Sequence, residues 1–196
     1  MEDIIIRPAV LTDAAAFAAI YRPYVEKTAV SFEYIPPDAS EFQRRMARTL
    51  EKHPYLAAER DGEILGYAYS SPLGERPAYG WAAENSVYVR QDIRRMGVGA
   101  ALYAALEKLL TAQGAVAAYA CIACTDDPDE YLSGDSVTFH KRLGYVPVGR
   151  FHGCGCKFDR WYDIMWMEKQ LSARRSPPPV FRPFDTALWC EVMGDN

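Results

Sequence analysis

Between Asn85 and Leu102 the chain passes from a β-type run (Asn85-Ser86-Val87-Tyr88-Val89-Arg90) through a polar loop (Gln91-Asp92-Ile93-Arg94-Arg95-Met96) into Gly97-Val98-Gly99-Ala100-Ala101-Leu102. Two glycines separated by one residue therefore open an Ala/Leu-rich helix directly after a strand. The first N–H groups of a helix lack intrahelical partners and lie at the positive end of its dipole, so this arrangement makes an anion site. Glycine lets a phosphate approach the backbone closely, and Arg94 and Arg95 add charge beside it. A Walker loop would need Gly-Lys-Ser/Thr, which is absent, and a dinucleotide loop would need a third glycine where Leu102 stands. The loop is expected to hold a phosphate-bearing small molecule of another kind.

Length and charge narrow the setting. A chain of 196 residues corresponds to one domain, or one domain with a tail. Lys plus Arg number 22 against 26 Asp plus Glu, a net charge of −4, and no basic block exceeds two residues, which speaks against a nucleic acid or an anionic membrane as partner. Apolar stretches such as Ala115 to Ala123 are too short to span a bilayer, and Met1-Glu2-Asp3 opens acidic, so the expected location is cytoplasmic. Five cysteines form no even disulfide framework. Cys121 and Cys124 have CxxC spacing but would point to opposite faces of a strand. His152, Cys154 and Cys156 would share a face without a second ligand pair, so no metal is expected.

The pattern of apolar residues predicts an α/β chain. Ile4 to Arg7 reads as a strand. Thr12-Asp13 caps an Ala-rich helix, with Pro23 in the first turn of a continuing one. Asp38 and Glu41 have capping-box spacing before a helix reaching about Lys52. Asp61-Gly62 between Tyr55 to Arg60 and Glu63 to Ser70 is a strong hairpin signal. Asn85 to Arg90 is a strand, Gly99 to Gln113 a helix capped by Gly114, Ala115 to Ala123 a buried strand and Ser136 to Leu143 a short helix. Tyr145 to Gly149 and Trp161 to Met167 close the sheet, separated by the Gly/Cys segment around Gly153 to Cys156. From Ser172 the chain turns Pro-rich, which predicts a folded domain over 1–171 and an extended tail over 172–196.

Arg94-x-x-Gly97-x-Gly99, placed after a strand and before a Leu-rich helix, resembles the pyrophosphate loop of the GNAT acyl-CoA-dependent N-acetyltransferases. Arg76 to Val89, Ser136 to Tyr145 and Gly155 to Asp163 further resemble the phosphinothricin N-acetyltransferase subfamily, and the agreement runs from about Ile5 to Leu171. The resemblance implies a GNAT fold, a mixed and mostly antiparallel central sheet flanked by helices. It also implies a homodimer that transfers acetyl from acetyl-CoA to the α-amino group of phosphinothricin, methionine sulfoximine or methionine sulfone. Acetyl-CoA would lie on Val87, Tyr88 and Val89 of the strand and on Arg94, Arg95, Met96, Gly97, Val98, Gly99 and Ala100. Phe32, Arg76, Ser86 and Tyr88 match acceptor-pocket positions. Gly74 stands where well-studied members carry a basic residue, and Glu130 to Gly134 is an extra segment.

The chemistry asks for particular groups. An ammonium cannot attack a thioester until it loses a proton, so a base is required. Glu84, just before the strand that feeds the anion loop, is placed to accept that proton, with Trp81, Tyr88 and apolar neighbours to raise its pKa. The resemblance gives Glu84 the same role and makes His140 the general acid, or an assistant to the amine's proton relay. A backbone N–H of Val87 to Val89 would meet the oxyanion. Lys157 is expected either in the pocket or against a second subunit. Two rival readings remain. In one, the acceptor is a polyamine, aminoglycoside or protein N-terminus, met by Asp126, Asp127, Asp129 and Glu130. In the other, the chain is a non-catalytic acyl-CoA sensor, which would have no need of Glu84 and His140.

Overall fold

Asp61 and Gly62, at φ 54° and 78°, make the tight turn between β2 (Tyr55–Arg60) and β3 (Glu63–Pro72). Two consecutive positive φ values are what a type I′ hairpin turn requires. The computed structural model describes residues 4–93 and 96–194, and around this hairpin it builds one seven-stranded sheet in the order β1-β2-β3-β4-β5-β7-β6. The edge strand β1 (Ile5–Pro8) is antiparallel to β2, and β4 (Ala82–Val89) is antiparallel to β3. β5 (Ala117–Cys124) runs parallel to β4, while β7 (Arg160–Gln170) and then β6 (Val146–Lys157) return antiparallel. The sheet is thus mixed and mostly antiparallel, as expected.

Strand periodicity sorts the side chains into two cores. Tyr55 and Ala57 point to a cluster built with α1 (Ala14–Lys27) and α2 (Ala39–Leu50), whereas Leu56 and Ala58 point to one built with α3 (Val98–Gln113). The first cluster is rich in aromatic rings: Phe17, Tyr21, Tyr55, Tyr67 and Tyr88 stack or meet edge to face. The second is aliphatic, with Leu102, Leu106, Leu109 and Leu110 of α3 fully buried. α4 (Asp135–Arg142) lies beside β5 and packs Val137 and Phe139 on the second cluster. Asp38 caps α2 by accepting from the Glu41 N–H at 2.8 Å.

Several local expectations change. Pro23 lies inside α1 rather than in a first turn; burial of Phe17, Ile20, Tyr21, Tyr24 and Val25 outweighs the lost backbone bond. The Gly/Cys segment is not a separator: Gly153 to Cys156 belongs to a long β6, whose register against β7 shifts between Phe151 and Gly155. The expected extended tail over 172–196 is not extended throughout its described part, residues 172–194. Asp185 accepts from the Leu188 N–H at 2.7 Å and starts α5 (Thr186–Met193). Leu188 is fully buried, and Phe184, Trp189, Val192 and Met193 pack on the aliphatic core. The prolines hid this helix because its apolar face is legible only with α3 beside it.

Candidate active site

β4 carries the site, and its hydrogen-bond parity explains how. Leu73 N donates to Ala82 O and Arg90 N to Leu65 O, so the even-numbered residues of β4 bond to β3. Odd-numbered residues turn their N–H and C=O groups the other way, toward β5. β5 follows only through the register pairs Ala82–Ala117, Ala83–Ala118 and Glu84–Tyr119. Beyond Glu84 the two parallel strands part, and the backbone groups of Asn85, Val87 and Val89 face the opening wedge. Val87 and Val89 therefore present amide donors there. Tyr88 does not: its backbone is bonded to β3, and its ring packs against Tyr21 and Tyr24, which corrects its expected place as a backbone donor beside Val87 and Val89.

Glu84 is the last β4 residue paired with β5, at the vertex of the wedge and inside the strand rather than before it. It is half-buried, and desolvation raises its pKa above the ordinary glutamate value. Ser86 and Tyr88 share its face of the sheet, as does Tyr69 across the register from Ser86. Burial raises the Tyr69 pKa, the neighbouring Ser86 hydroxyl opposes this, and the Glu84 charge adds a smaller contribution. Cys121 follows Tyr119 on the same face of β5. Although part of the residue meets solvent, desolvation and then repulsion from Glu84 push its thiol up to about 12, so it remains protonated and is no nucleophile at neutral pH.

His140 reaches the same vertex from the other side of the sheet. Its Nδ1 lies 2.7 Å from Ser136 O; a carbonyl only accepts, so Nδ1 carries the proton of a neutral ring. Nε2 then faces the Tyr103 hydroxyl at 2.9 Å, and that hydroxyl is also 3.2 Å from Asn85 O. Burial lowers the His140 pKa. His140 is 6% and Tyr103 1% exposed, so the two form a buried pair against the backbone of Asn85. The Asn85 side chain, buried too, accepts from Ser70 at 2.8 Å and donates to the Tyr145 hydroxyl at 3.2 Å. These bonds fix the strand where it leaves β5.

The segment after α1 forms a wall over the Glu84 face. The Phe32 ring lies flat on β6 at Gly155, where an added Cβ would stand 2.1 Å from Phe32 Cε2. The Tyr34 hydroxyl donates to Cys156 O at 2.5 Å. Lys157 neither lines a pocket nor faces outward: it is 4% exposed, and its Nζ donates to Thr28 O at 2.9 Å and Ser31 O at 2.6 Å. Arg76 is exposed at the start of the 3-10 turn Pro77–Tyr79, between β3 and β4. The acidic loop after β5 does not supply a cation pocket. Asp126 pairs with Arg150 and Asp129 with Arg160, each at 2.8 Å, and Asp129 also accepts from the Tyr162 hydroxyl at 2.8 Å.

At the far end of β4, Gly97 caps α3 with φ +82°, a left-handed value that suits glycine. Met96 is exposed, Val98 is buried in the core, and Gly99 and Ala100 form the half-buried first turn. The first-turn N–H groups thus open beside the wedge. Arg94 and Arg95 lie outside the described residues. Among the described residues, no three His, Cys, Asp or Glu side chains gather as metal ligands; His152 turns to Asp163 instead.

Two strands parting at a half-buried carboxylate, with a Gly-x-Gly helix start beyond them, is a recognisable construction. The acetyltransferase (GNAT) domain model matches residues 6–166. The chain belongs to the GNAT acetyltransferase family. Among the relatives of this acetyltransferase, the phosphinothricin N-acetyltransferase of Streptomyces viridochromogenes is 34% identical over 89% of this chain and 92% of its own. The L-methionine sulfoximine/L-methionine sulfone acetyltransferase of Pseudomonas aeruginosa is 33% identical over 88% of this chain and 98% of its own. A phosphinothricin acetyltransferase from Sinorhizobium meliloti, solved in complex with acetyl-CoA, superposes with a TM-score of 0.79 at 28% identity, covering 94% of this chain and 95% of that one.

Sequence reasoning missed two residues that stand beside Glu84 and His140, and it left the place of Lys157 open. Tyr103 looked like one more apolar residue of α3, and Tyr69 like one more strand aromatic. Lys157 gave no sign that it would hold two carbonyls more than a hundred residues earlier. The alternation of β3 could have placed Tyr69 on the face of Glu84; nothing local marks the other two.

Proposed function

We propose that this acetyltransferase moves the acetyl group of acetyl-CoA to the α-amino group of a small amino-acid-like acceptor of the phosphinothricin, methionine sulfoximine or methionine sulfone type, by direct attack. One observation carries the reading: Glu84 stands half-buried where β4 and β5 part, next to outward-turned Val87 and Val89 amides. Those amides and the α3 start fit an extended acyl-CoA with a pyrophosphate at one end, with Arg94, Arg95 and Met96 to Ala100 at the phosphates. Bound there, acetyl-CoA supplies an activated thioester carbonyl.

Glu84, its carboxylate made more basic by desolvation, takes the proton of the acceptor ammonium. The Val87 or Val89 N–H steadies the oxyanion as the amine adds. Tyr103, backed by His140, is the hydroxyl that meets the departing sulfur, so His140 acts through Tyr103. Phe32, Ser86 and Tyr88 shape the acceptor side, and Arg76 stands at its rim. The main domain is 1–171, with 172–194 packed across it.

Homodimer formation is part of the same proposal, supported by the apolar side chains left on the β6–β7 hairpin and the α1–α2 segment: Phe151 is 58%, Trp161 69% and Ile35 81% exposed. A cytoplasmic location is proposed on composition alone. The paired Asp126 and Asp129 disfavour a polycationic acceptor.

Purified protein given acetyl-CoA and a panel of amines, with thiol release as readout, tests the reading. Turnover is expected with methionine sulfone, methionine sulfoximine or phosphinothricin. Turnover confined to spermidine or an aminoglycoside would overturn it.

A further inference from the structure

The chain after β7 does more than seal the core. Leu171 and Ser172 donate to Val116 O at 2.9 and 3.3 Å, and the Trp81 indole N–H donates to Pro179 O at 2.7 Å. Beyond that, Arg182 N and Gln113 O meet at 2.8 Å, and Phe184 N donates to Lys52 O at 3.0 Å. Pinned on both sides, residues 173–178 form a strap that arches over the start of β4 and β5. Under it lies a cavity of about 290 Å³.

The floor of that cavity includes Ala82, Ala117 and Tyr119. Ala82 and Ala117 are register partners, and Tyr119 is the partner of Glu84. Side chains two apart on a strand share a face, so the cavity opens on the same face as Glu84 and about 7 Å along β4 from it. Tyr79 and Trp81 supply aromatic walls, and the strap contributes Arg174 and Arg175. Arg174 and Glu168, the register partner of Tyr119 on β7, both stand near enough to the Tyr119 hydroxyl to act on its pKa, in opposite directions. Among the described residues, no carboxylate lines the cavity itself.

We propose that this strap cavity receives the far end of the acceptor and that Arg174 and Arg175 select acceptors carrying a second anionic group there. The inference rests on Glu84 marking the amine end. An α-amino acid held with its nitrogen at Glu84 would send its side chain away from the wedge, toward the strap. A guanidinium suits a carboxylate or phosphinate because two parallel N–H donors match two oxygens. The aromatic walls and alanine floor admit an aliphatic linker but offer a neutral end group little.

Phosphinothricin and methionine sulfone separate the possibilities, since both are α-amino acids and only the first ends in an anion. R174A, R175A and the double variant are compared with the unaltered enzyme. Both arginines are exposed, so the fold survives their removal, and an unchanged KM for acetyl-CoA checks this. The double variant is expected to raise KM for phosphinothricin at least tenfold, about 1.4 kcal/mol, with KM for methionine sulfone and kcat for both within twofold. R174K is expected to fall between, since an ammonium keeps the charge without the paired donors. Equal changes for both acceptors, or none for either, overturn the selection by arginine while leaving the Glu84 reading intact. An unaltered enzyme that acetylates neither amino acid overturns both.

Discussion

Gly155→Ala is the substitution whose effect can be worked most directly from the coordinates. An ideal Cβ at this position would stand 2.1 Å from Phe32 Cε2 and 2.6 Å from both Cδ2 and Cζ. Carbon atoms rest comfortably at about 3.5 Å or more, so the ring must retreat by about 1.4 Å. It has little freedom to do so. The two Lys157 bonds to Thr28 and Ser31 carbonyls and the Tyr34 bond to Cys156 O hold the segment on either side of Phe32 against β6. Forced overpacking of this kind costs about 1–3 kcal/mol, which in a chain of this size lowers Tm by about 2–4 °C per kcal/mol. Displacing a wall of the acceptor site by about 1 Å is worth up to about 10²-fold in rate. Differential scanning fluorimetry and steady-state kinetics with methionine sulfone as acceptor read the two effects separately. The expected result is a lower Tm and a kcat/KM for acceptor reduced about tenfold to a hundredfold, with KM for acetyl-CoA unchanged. Adding Phe32→Ala to G155A should restore part of the Tm without restoring acceptor KM. A G155A enzyme with the parent's Tm and acceptor kinetics would refute the packing and the placement of Phe32 together.

Glu84→Gln is expected to lower kcat/KM about 10²–10⁴-fold with acetyl-CoA affinity retained, and in the parent enzyme the acid limb of the pH–rate profile should lie above the ordinary glutamate pKa. Because burial raises the folded-state pKa, the folded chain binds the extra proton in that window. Stability is therefore fully present below about pH 4.3 and is lost as pH rises through the raised value; urea denaturation across pH should show this slope in the parent and not in E84Q. His140 runs the other way. Its lowered pKa means stability declines as pH falls below about 6.5, a decline that His140→Phe should remove. Tyr103→Phe and His140→Phe should couple in a double-mutant cycle on kcat by about 1 kcal/mol; simple additivity would separate the pair. Leu188→Ala should cost about 2–5 kcal/mol by urea denaturation, whereas a detached tail would give none.

Local chemistry made much of the fold legible in the sequence. Asp61-Gly62 announced its hairpin because two positive φ values suit few other pairs, and Gly97 and Gly114 bracketed α3 for the same reason of backbone sterics. Asp38 named its own cap. The anion loop was readable because the loose N–H groups of a helix start belong to the helix alone. Glu84 was singled out as the candidate base, and its closeness to the coming loop was visible in the numbering.

What the numbering could not supply is every relation that crosses the sheet. Glu84 and His140 approach the vertex from opposite faces, and only the packing of α3 between β4 and α4 sets the Tyr103 hydroxyl against His140 and Asn85. Lys157 was ambiguous because a lone lysine carries no record of the carbonyls it will meet after the chain doubles back. The acidic loop read as a possible cation site until β6 and β7 brought Arg150 and Arg160 against it. The C-terminal residues read as a Pro-rich tail because their apolar side chains find their surface only on α3. The sequence alone determined most of the elements and the Gly-x-Gly helix start, since those depend on dihedral preference and nearest neighbours. The tertiary structure decided which groups face the reacting atoms and where Arg174 and Arg175 are held, since those depend on contacts between residues far apart in the chain.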